Sequence, residues 1–383
     1  MNILIVSRHE PIPAICGVET VSQMLYRKFK KDGHNVFSLA LVKSGLQLAE
    51  DIHTDYFPSE DLGAEENFKF YKNYLKENKI EVLINQYATA WAESKLFLSD
   101  ETVAKVSEIH INPDQIYTFY GRYLRECGGI KKYLVPFSPI LKRRYLRNLR
   151  KLYVYLEKKG DAIVLLTDKF KIFPELQTDK TIAIPNAVDR LGDESLDPKN
   201  KEKLIVYVGR MDLIQKSPDQ ILKAFKIVEQ HHPDWHLKML GEGSDRKKLE
   251  ELSITLHIKN VEFTGLTNPF PYFEKAAINL LTSNHEGFGM TVVEGMSYKT
   301  VPIVYDSYPT ASEIITDGKD GYLVEPRDYK GLAEKICYLI DHPEVREMMA
   351  EEAYVTVKNR FHIDIVAKKW YSLFNKILSK KLR

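Results

Sequence analysis

The chain has 383 residues, more than one hydrophobic core usually organises, so two domains of ordinary size are expected. Its 44% hydrophobic content is that of a globular protein, and no run reaches the roughly 18 uncharged apolar residues of a membrane-spanning helix. Lysine plus arginine (55) nearly balance aspartate plus glutamate (53), which excludes a global polycation of the nucleic-acid-binding kind and makes any basic surface local.

Short β-branched runs alternate with longer amphipathic ones along the whole chain, the pattern of parallel sheets covered by helices. In the first half, strands are expected at Ile3–Ser7, Val36–Leu41, Glu81–Gln86, Ser107–Asn112, Ala162–Thr167 and Thr181–Pro185. The first runs into a loop with one glycine, Gly17, before a helix, so no G-x-G-x-x-G dinucleotide fingerprint is present. Cys16, Cys127 and Cys337 are far apart and without a C-x-x-C pair, which fits a reducing cytoplasm and implies no metal site. His110 is placed at the carboxyl end of its strand, facing a cleft. Such a position favours function, although a lone histidine also serves as a hydrogen-bonded structural residue.

From Ser138 to Lys159, Leu141, Tyr145, Leu149, Leu152 and Leu156 form an apolar stripe at helical spacing. Eight cations, Lys142, Arg143, Arg144, Arg147, Arg150, Lys151, Lys158 and Lys159, accompany it against the single Glu157. This segment is the better candidate for peripheral contact with an anionic membrane, the alternative being a stripe packed on the core with solvated cations. A second stripe, Val366, Trp370, Phe374 and Ile377, lies near the C-terminus. Between the halves, the polar stretch from Asp189 to Lys203 reads as a linker.

Six further strands are expected at Leu204–Gly209, His236–Leu240, Val261–Thr264, Ile278–Thr282, Pro302–Tyr305 and Gly321–Val324. The first ends in Gly209-Arg210, and Lys216 precedes Ser217-Pro218, which reads as an N-cap followed by proline at the first helical position. Together, Arg210 and Lys216 can neutralise charge growing on a departing diphosphate; taken singly they are also ordinary surface cations. Gly241 and Gly243 make a flexible turn at the same sheet edge.

Glu286 and Glu294 flank Gly287-Phe288-Gly289 between a strand and a helix start. The glycines allow first-turn amides to face an anion, and two carboxylates on either side suit neutral sugar hydroxyls, so a nucleotide sugar fits. The alternative is a capping box, Thr291-Val292-Val293-Glu294, which makes Glu294 structural.

The segments Ile184–Asp189, Tyr207–Arg210 with Lys216, Gly241–Gly243, Val261–Gly265, Glu286–Glu294, Ser312–Ile315 and Asp317–Val324, in this order and spacing, resemble the retaining nucleotide-sugar glycosyltransferases of the GT-B fold, most closely glycosyltransferase family 4. The resemblance implies an α/β chain of two Rossmann-like domains facing a central cleft. An acceptor-binding domain would cover residues 1–185 and a nucleotide-sugar-binding domain residues 186–360, with 361–383 crossing back to the first domain. It further implies that Arg210 and Lys216 hold the donor diphosphate. Glu286 and the backbone of Gly287, Phe288, Gly289 and Met290, with Thr291 beside them, would hold sugar and phosphate. Glu294 would bind the ribose, Gly209, Gly241, Gly243 and Gly17 would line the donor site, and His110 would lie by the donor sugar. The family's first loop carries a Gly-Gly pair, and here Cys16 stands in place of the first glycine.

The activity implied is transfer of a hexose or N-acetylhexosamine with retention, without a metal ion or other cofactor. The donor is a nucleotide sugar, with UDP preferred over GDP because the segment from Pro309 resembles enzymes of bacterial surface polysaccharides. The acceptor is a glycan, a lipid-linked saccharide or an anionic cell-surface polymer, read through 121–159 at the inner face of the membrane. A sugar-nucleotide epimerase of the same fold and a non-catalytic sugar-binding subunit are the alternatives.

Overall fold

The computed structural model describes residues 1–13, 17–113 and 138–381. Cys16, Cys127 and the 121–137 part of the expected acceptor segment lie outside them. The chain forms two units, Met1–Ala187 with Ile363–Arg383, and Val188–His362.

The first unit holds a seven-stranded parallel sheet: β1 Asn2–Ser7, β2 Asn35–Ala40, β3 Asp55–Tyr56, β4 Val82–Asn85, β5 Ala104–Ile109, β6 Ala162–Leu165 and β7 Thr181–Ala183, in the order β3-β2-β1-β4-β5-β6-β7. Its helices are α1 Gly17–Lys31, α2 Glu65–Glu77, α3 Trp91–Phe97 and α4 Ser138–Lys159. The second unit holds six parallel strands: β8 Glu202–Val208, β9 His236–Leu240, β10 Val261–Gly265, β11 Ala276–Leu281, β12 Val301–Tyr305 and β13 Tyr322–Val324, in the order β10-β9-β8-β11-β12-β13. Helices α5 Asp219–His231, α6 Arg246–Thr255, α7 Phe270–Lys275, α8 Met290–Met296, α9 Ala311–Ile314, α10 Tyr329–Asp341 and α11 Pro343–Arg360 belong to it. Helix α12, Ile363–Lys381, returns to the first unit.

Two Rossmann-like sheets are therefore present, as expected, but with seven and six strands. The additional β3 is a two-residue edge strand, paired through Leu39 with Asp55 and Ala40 with Tyr56, too short to show as a run. Strand β5 begins and ends three residues earlier than expected because Lys105, a polar interruption in the sequence, is buried in it with its ammonium bonded to the Asp100 carbonyl at 2.7 Å.

Strand β8 shows why these runs become central strands. Ile205 and Tyr207 pack on one face with Ile221, Phe225 and Leu237, while Leu204 and Val206 pack on the other with Phe273 and Ala276. A strand buried on both faces has no polar alternation to display. Each sheet reverses its order beside its first strand, between β1 and β4 and between β8 and β11, and such switch points are where open α/β sheets bind ligands.

The stretch from Asp189 to Lys203 is not a free linker. Gly192 donates its amide to the Ser297 carbonyl at 2.8 Å, and the Lys201 ammonium bonds the carbonyls of Phe273, Glu274 and Tyr298 at 2.7, 2.8 and 2.7 Å. Burial pushes that ammonium down to about 7. The C-terminal stripe is core: Val366, Trp370, Phe374 and Ile377 are buried, and the Phe374 ring meets Phe29 of α1 at 5.7 Å between centroids. Helix α4 is divided, with Leu149, Leu152 and Leu156 buried and Arg143, Arg144 and Arg147 exposed. Among the described residues no helix is long and apolar enough to cross a membrane.

Candidate active site

The loop after β8 is built on Asp212. Its side chain accepts the amides of Ile214 and Gln215 at 2.8 Å each and lies 3.5 Å from the Arg210 guanidinium, which also donates to Gln215. The Arg210 side chain remains about half exposed (56%). Ser217 is not the expected N-cap. Its φ is +46°, Pro218 occupies the cap of α5, and the Ser217 hydroxyl donates to the Leu213 carbonyl at 3.0 Å. This left-handed turn lets Lys216 leave the loop ahead of the helix.

The loop after β11 is joined to it across the switch point. Asn284 donates its amide nitrogen to the Gln215 carbonyl at 2.7 Å and its side-chain nitrogen to the Ile214 carbonyl at 2.6 Å, and the Thr282 hydroxyl donates to the Ser217 carbonyl at 3.0 Å. The result is an ion pair between the Lys216 ammonium and the buried Glu286 carboxylate, which also accepts the Ser283 hydroxyl at 2.6 Å. Beside it, burial pushes the His285 imidazole down to about 4, while the charge of Glu286 pulls the other way.

Gly289, at φ +98°, is the cap residue of α8, and a Cβ there would sit 3.0 Å from the Tyr308 hydroxyl. Thr310 steadies the approach by donating to the carbonyls of Phe288 and Gly287 at 3.0 and 3.2 Å. The Phe288 ring is buried against Phe361, so only its backbone is free to face a ligand. Helix α8 begins at Met290 with no side-chain cap, which rules out the capping box: Thr291 lies inside the helix and Glu294 a turn further on. The Glu294 carboxyl is pushed up to about 7, by burial first and by the negative charge of Asp189 second.

Gly209, Gly241 and Gly243 close a backbone lattice beneath the site. Gly209 donates to the Leu240 carbonyl at 3.0 Å and Met211 to the Glu242 carbonyl at 2.8 Å. A Cβ on Gly241 would stand 2.1 Å from the Gly209 oxygen, and one on Gly243 2.3 Å from the Met211 oxygen. These two glycines permit strand ends to touch.

In the first unit, Gly17 opens α1 with nothing within 4 Å of where a Cβ would be. His110 follows β5, but its imidazole is buried and does not look into open solvent; Nε2 is hydrogen-bonded to the Gln86 Oε1 and lies 3.7 Å from Glu108. Burial pushes this imidazole down to about 3. Among the described residues no group of His, Cys, Asp and Glu is arranged to hold a metal ion.

Residues 191–356 match the family model of glycosyl transferases group 1. The matched stretch lies wholly within the second unit, Val188–His362. A poly(glycerol-phosphate) alpha-glucosyltransferase of Bacillus subtilis is 26% identical over 68% of this chain and 38% of its own length. An exopolysaccharide phosphotransferase of Streptomyces coelicolor is 30% identical over 58% of this chain and 24% of its own. The chain thus spans well under two thirds of these curated relatives. The solved Anabaena protein HepE in complex with UDP-glucose superposes with a TM-score of 0.75 at 15% identity, covering 99% of this chain and 100% of that one, which shows the GT-B fold.

Arg210, Lys216, Glu286, Glu294 and the Gly287–Gly289 turn all fall inside the matched residues 191–356, whereas His110 and Gly17 lie outside them. Within the matched stretch, the ammonium of Lys216 has a counter-ion that fixes its position, while the half-exposed guanidinium of Arg210 projects from a loop held around Asp212. Gln215, Ser283, Tyr308 and Thr310 escaped the sequence reading. The only signal was their place after strands β8, β11 and β12; Thr310 reaches Phe288 and Gln215 reaches His285, 22 and 70 residues away in sequence.

Proposed function

We propose that the chain is a retaining glycosyltransferase that moves a hexose or N-acetylhexosamine from a nucleotide sugar, UDP-linked, to a glycan, lipid-linked or cell-surface polymer acceptor, with no metal ion in the step. The reading rests most on the meeting of Lys216 and Glu286 across the β8/β11 switch point, where a cation and a hydroxyl acceptor stand side by side. Lys216 and Arg210 stabilise the departing diphosphate, Glu286 and the Gly287–Met290 backbone take the sugar and its phosphate, and Glu294 takes the ribose hydroxyls. In the transfer, the bond from the anomeric carbon to the diphosphate oxygen breaks. The acceptor oxygen bonds that carbon on the same face, and its proton passes to the departing phosphate. No carboxylate nucleophile is required, in keeping with a Glu286 already engaged by Lys216. His110 touches the donor sugar on the resemblance to family 4. UDP is favoured by the UDP-glucose held in the Anabaena structure.

The acceptor reading draws on the names of the relatives, which include enzymes of poly(glycerol-phosphate), poly(ribitol-phosphate) and capsular polysaccharide. We place the enzyme in the cytoplasm against an anionic membrane face, where the exposed arginines of α4 approach the headgroups. A panel of nucleotide sugars, read by thermal stabilisation and by hydrolysis or transfer with and without EDTA, tests the proposal. A UDP-sugar should stabilise the protein and yield a product of retained anomeric configuration. Conversion of the donor without acceptor into an epimer, or binding without any turnover, would replace it with one of the alternatives. Reversing charge at Arg143, Arg144 and Arg147 should abolish sedimentation with phosphatidylglycerol vesicles; unchanged sedimentation removes the membrane contact.

A further inference from the structure

A cavity of about 430 Å³ runs along α4 in the first unit, where the helix meets the turn Pro174–Leu176 between β6 and β7. Leu176 is buried and the Phe173 ring meets Tyr153 of α4 at 6.0 Å between centroids, so the turn is anchored to the helix along one wall. Leu146, Val154 and Phe173 give this groove its apolar surface. Arg143, Arg147 and Lys151 also line it, at four-residue intervals that put them on one helix face. All three are exposed and form no ion pair among the described residues. Like charges at that spacing repel one another, and an anion seated in the groove relieves the repulsion.

The groove's carboxylate belongs to Glu175, which is held by Arg150: Nε and Nη2 lie 2.8 and 2.7 Å from Oε1. The Arg150 hydrogen bond keeps the carboxyl below its ordinary range, with burial as the opposing influence, so Glu175 is a charged acceptor. Its Oε2 has no hydrogen-bond partner among the described residues.

These groups narrow the anion. From Arg143 to Lys151 the helix rises about 12 Å, eight residues at about 1.5 Å each, farther than a single phosphate bridges. Two phosphates in series fit, one at Arg143 and Arg147 and the other at Lys151. Glu175 repels phosphate but accepts a hydroxyl, so the unit linking the phosphates bears a hydroxyl, and its methylenes lie against Phe173 and Val154.

We propose that this groove binds a polymer of short polyols joined by phosphodiesters, with two phosphates on Arg143, Arg147 and Lys151 and a linker hydroxyl on Glu175. The site deepens the proposed function by choosing the anionic polymer among its acceptors; it rests on that reading for the transfer, not for the binding.

Calorimetric titration of the full chain with a short poly(glycerol phosphate) tests it, beside a poly(propanediol phosphate) that lacks the linker hydroxyl and vesicles of phosphatidylglycerol. The wild type should bind the first polymer and hold the second about tenfold more weakly, the value of one charge-assisted hydrogen bond. Arg147→Gln and Lys151→Gln should each weaken poly(glycerol phosphate) by about tenfold at an unchanged melting temperature, since both side chains are exposed. Glu175→Gln should erase the preference between the two polymers. With poly(glycerol phosphate) as acceptor, Lys151→Gln should raise its KM and leave kcat alone. No binding, equal affinity of the wild type for both polymers, a preference that survives Glu175→Gln, or full affinity in Lys151→Gln overturns the proposal. If Lys151→Gln weakens vesicle sedimentation by the same factor as polymer binding, the groove is a lipid-headgroup site and the proposal falls. Binding as expected without transfer from any nucleotide sugar would sink the proposed function and leave the polymer site standing.

Discussion

The two units share a parallel sheet with a switch point beside its first strand, yet they differ in how the charged groups there are paired. In the second unit the groups at the strand ends satisfy one another: Lys216 with Glu286, Ser283 with Glu286, Arg210 with Asp212 and Gln215. In the first unit, Asn85 Nδ2 at the end of β4, Ser107 Oγ within β5 and His110 Nδ1 after it are buried with no partner among the described residues, whereas the second unit's unpaired atoms include the neutral hydroxyls of Tyr305 and Tyr308. A satisfied cluster is preorganised and spends little on ordering when a charged ligand arrives. An unsatisfied one holds a cost of about 1–3 kcal/mol per group that a correctly placed ligand relieves. The difference teaches that charged groups at the second unit's strand ends are paired within the fold, whereas neutral polar groups in the first are left without a partner.

The largest expected effect breaks the satisfied cluster. Lys216→Ala should reduce turnover of the donor by about 10² or more, as loss of a donor to a developing anion does. It should also destabilise the fold by up to about 3 kcal/mol, because Glu286 is left buried with only Ser283 for company. Arg210→Ala should cost a similar factor in rate with an unchanged melting temperature, since its side chain is half exposed. Initial rates and thermal unfolding on the two variants separate the electrostatic role from the structural one. Equal shifts in Tm would show that Glu286 does not depend on Lys216.

A smaller effect addresses the backbone under the cluster. Gly241, at φ +131°, admits no Cβ because the Gly209 oxygen is 2.1 Å from its place. Gly241→Ala should lose at least about 1–3 kcal/mol in urea unfolding, the cost of overpacking, added to strain at that φ. In the first unit, Gly17→Ala meets nothing and should be neutral in stability. If Gly17 lies by the donor, the same variant still lowers activity, and so the pair of alanines distinguishes a glycine needed for packing from one needed for approach.

What the sequence reveals follows the same division. Buried parallel strands are continuous apolar runs, so β1, β9 and β12 could be placed to within a residue, while β3, two residues at an edge, left no run to see. Lys216, Glu286 and the Gly287–Gly289 turn stood out because charge and glycine at strand ends are conspicuous. Their supports did not: Ser283, Thr310 and Tyr308 act through loops that only folding brings together, and the left-handed turn at Ser217 is hidden behind a residue that reads as a helix cap. His110 was visible as a candidate, but its burial against Gln86 was not, because that contact spans adjacent strands 24 residues apart.

The last effect concerns proton uptake by one carboxyl of the second unit. Glu294 is a carboxyl whose charged neighbour is Asp189, pushed up from 4.5 to about 7 by burial first and that charge second. The folded state therefore keeps a proton that the unfolded chain releases between about pH 4.5 and 7, so folding stability falls as pH rises through that window and levels off above it. Glu294→Gln cannot ionise and should abolish this part of the decline. Its melting temperature relative to wild type should rise from pH 5 to pH 8, with the two proteins nearly equal at pH 5. A constant difference across that range would mean that Glu294 is already ionised at pH 5 and that the neighbouring Asp189 does not repel it. A bound nucleotide should reverse the trend in the wild type alone, because ribose hydroxyls donate to the carboxylate and lower the pH at which it forms. The same titration with and without UDP then tells whether the carboxyl of the second unit is a group whose partner is the ribose.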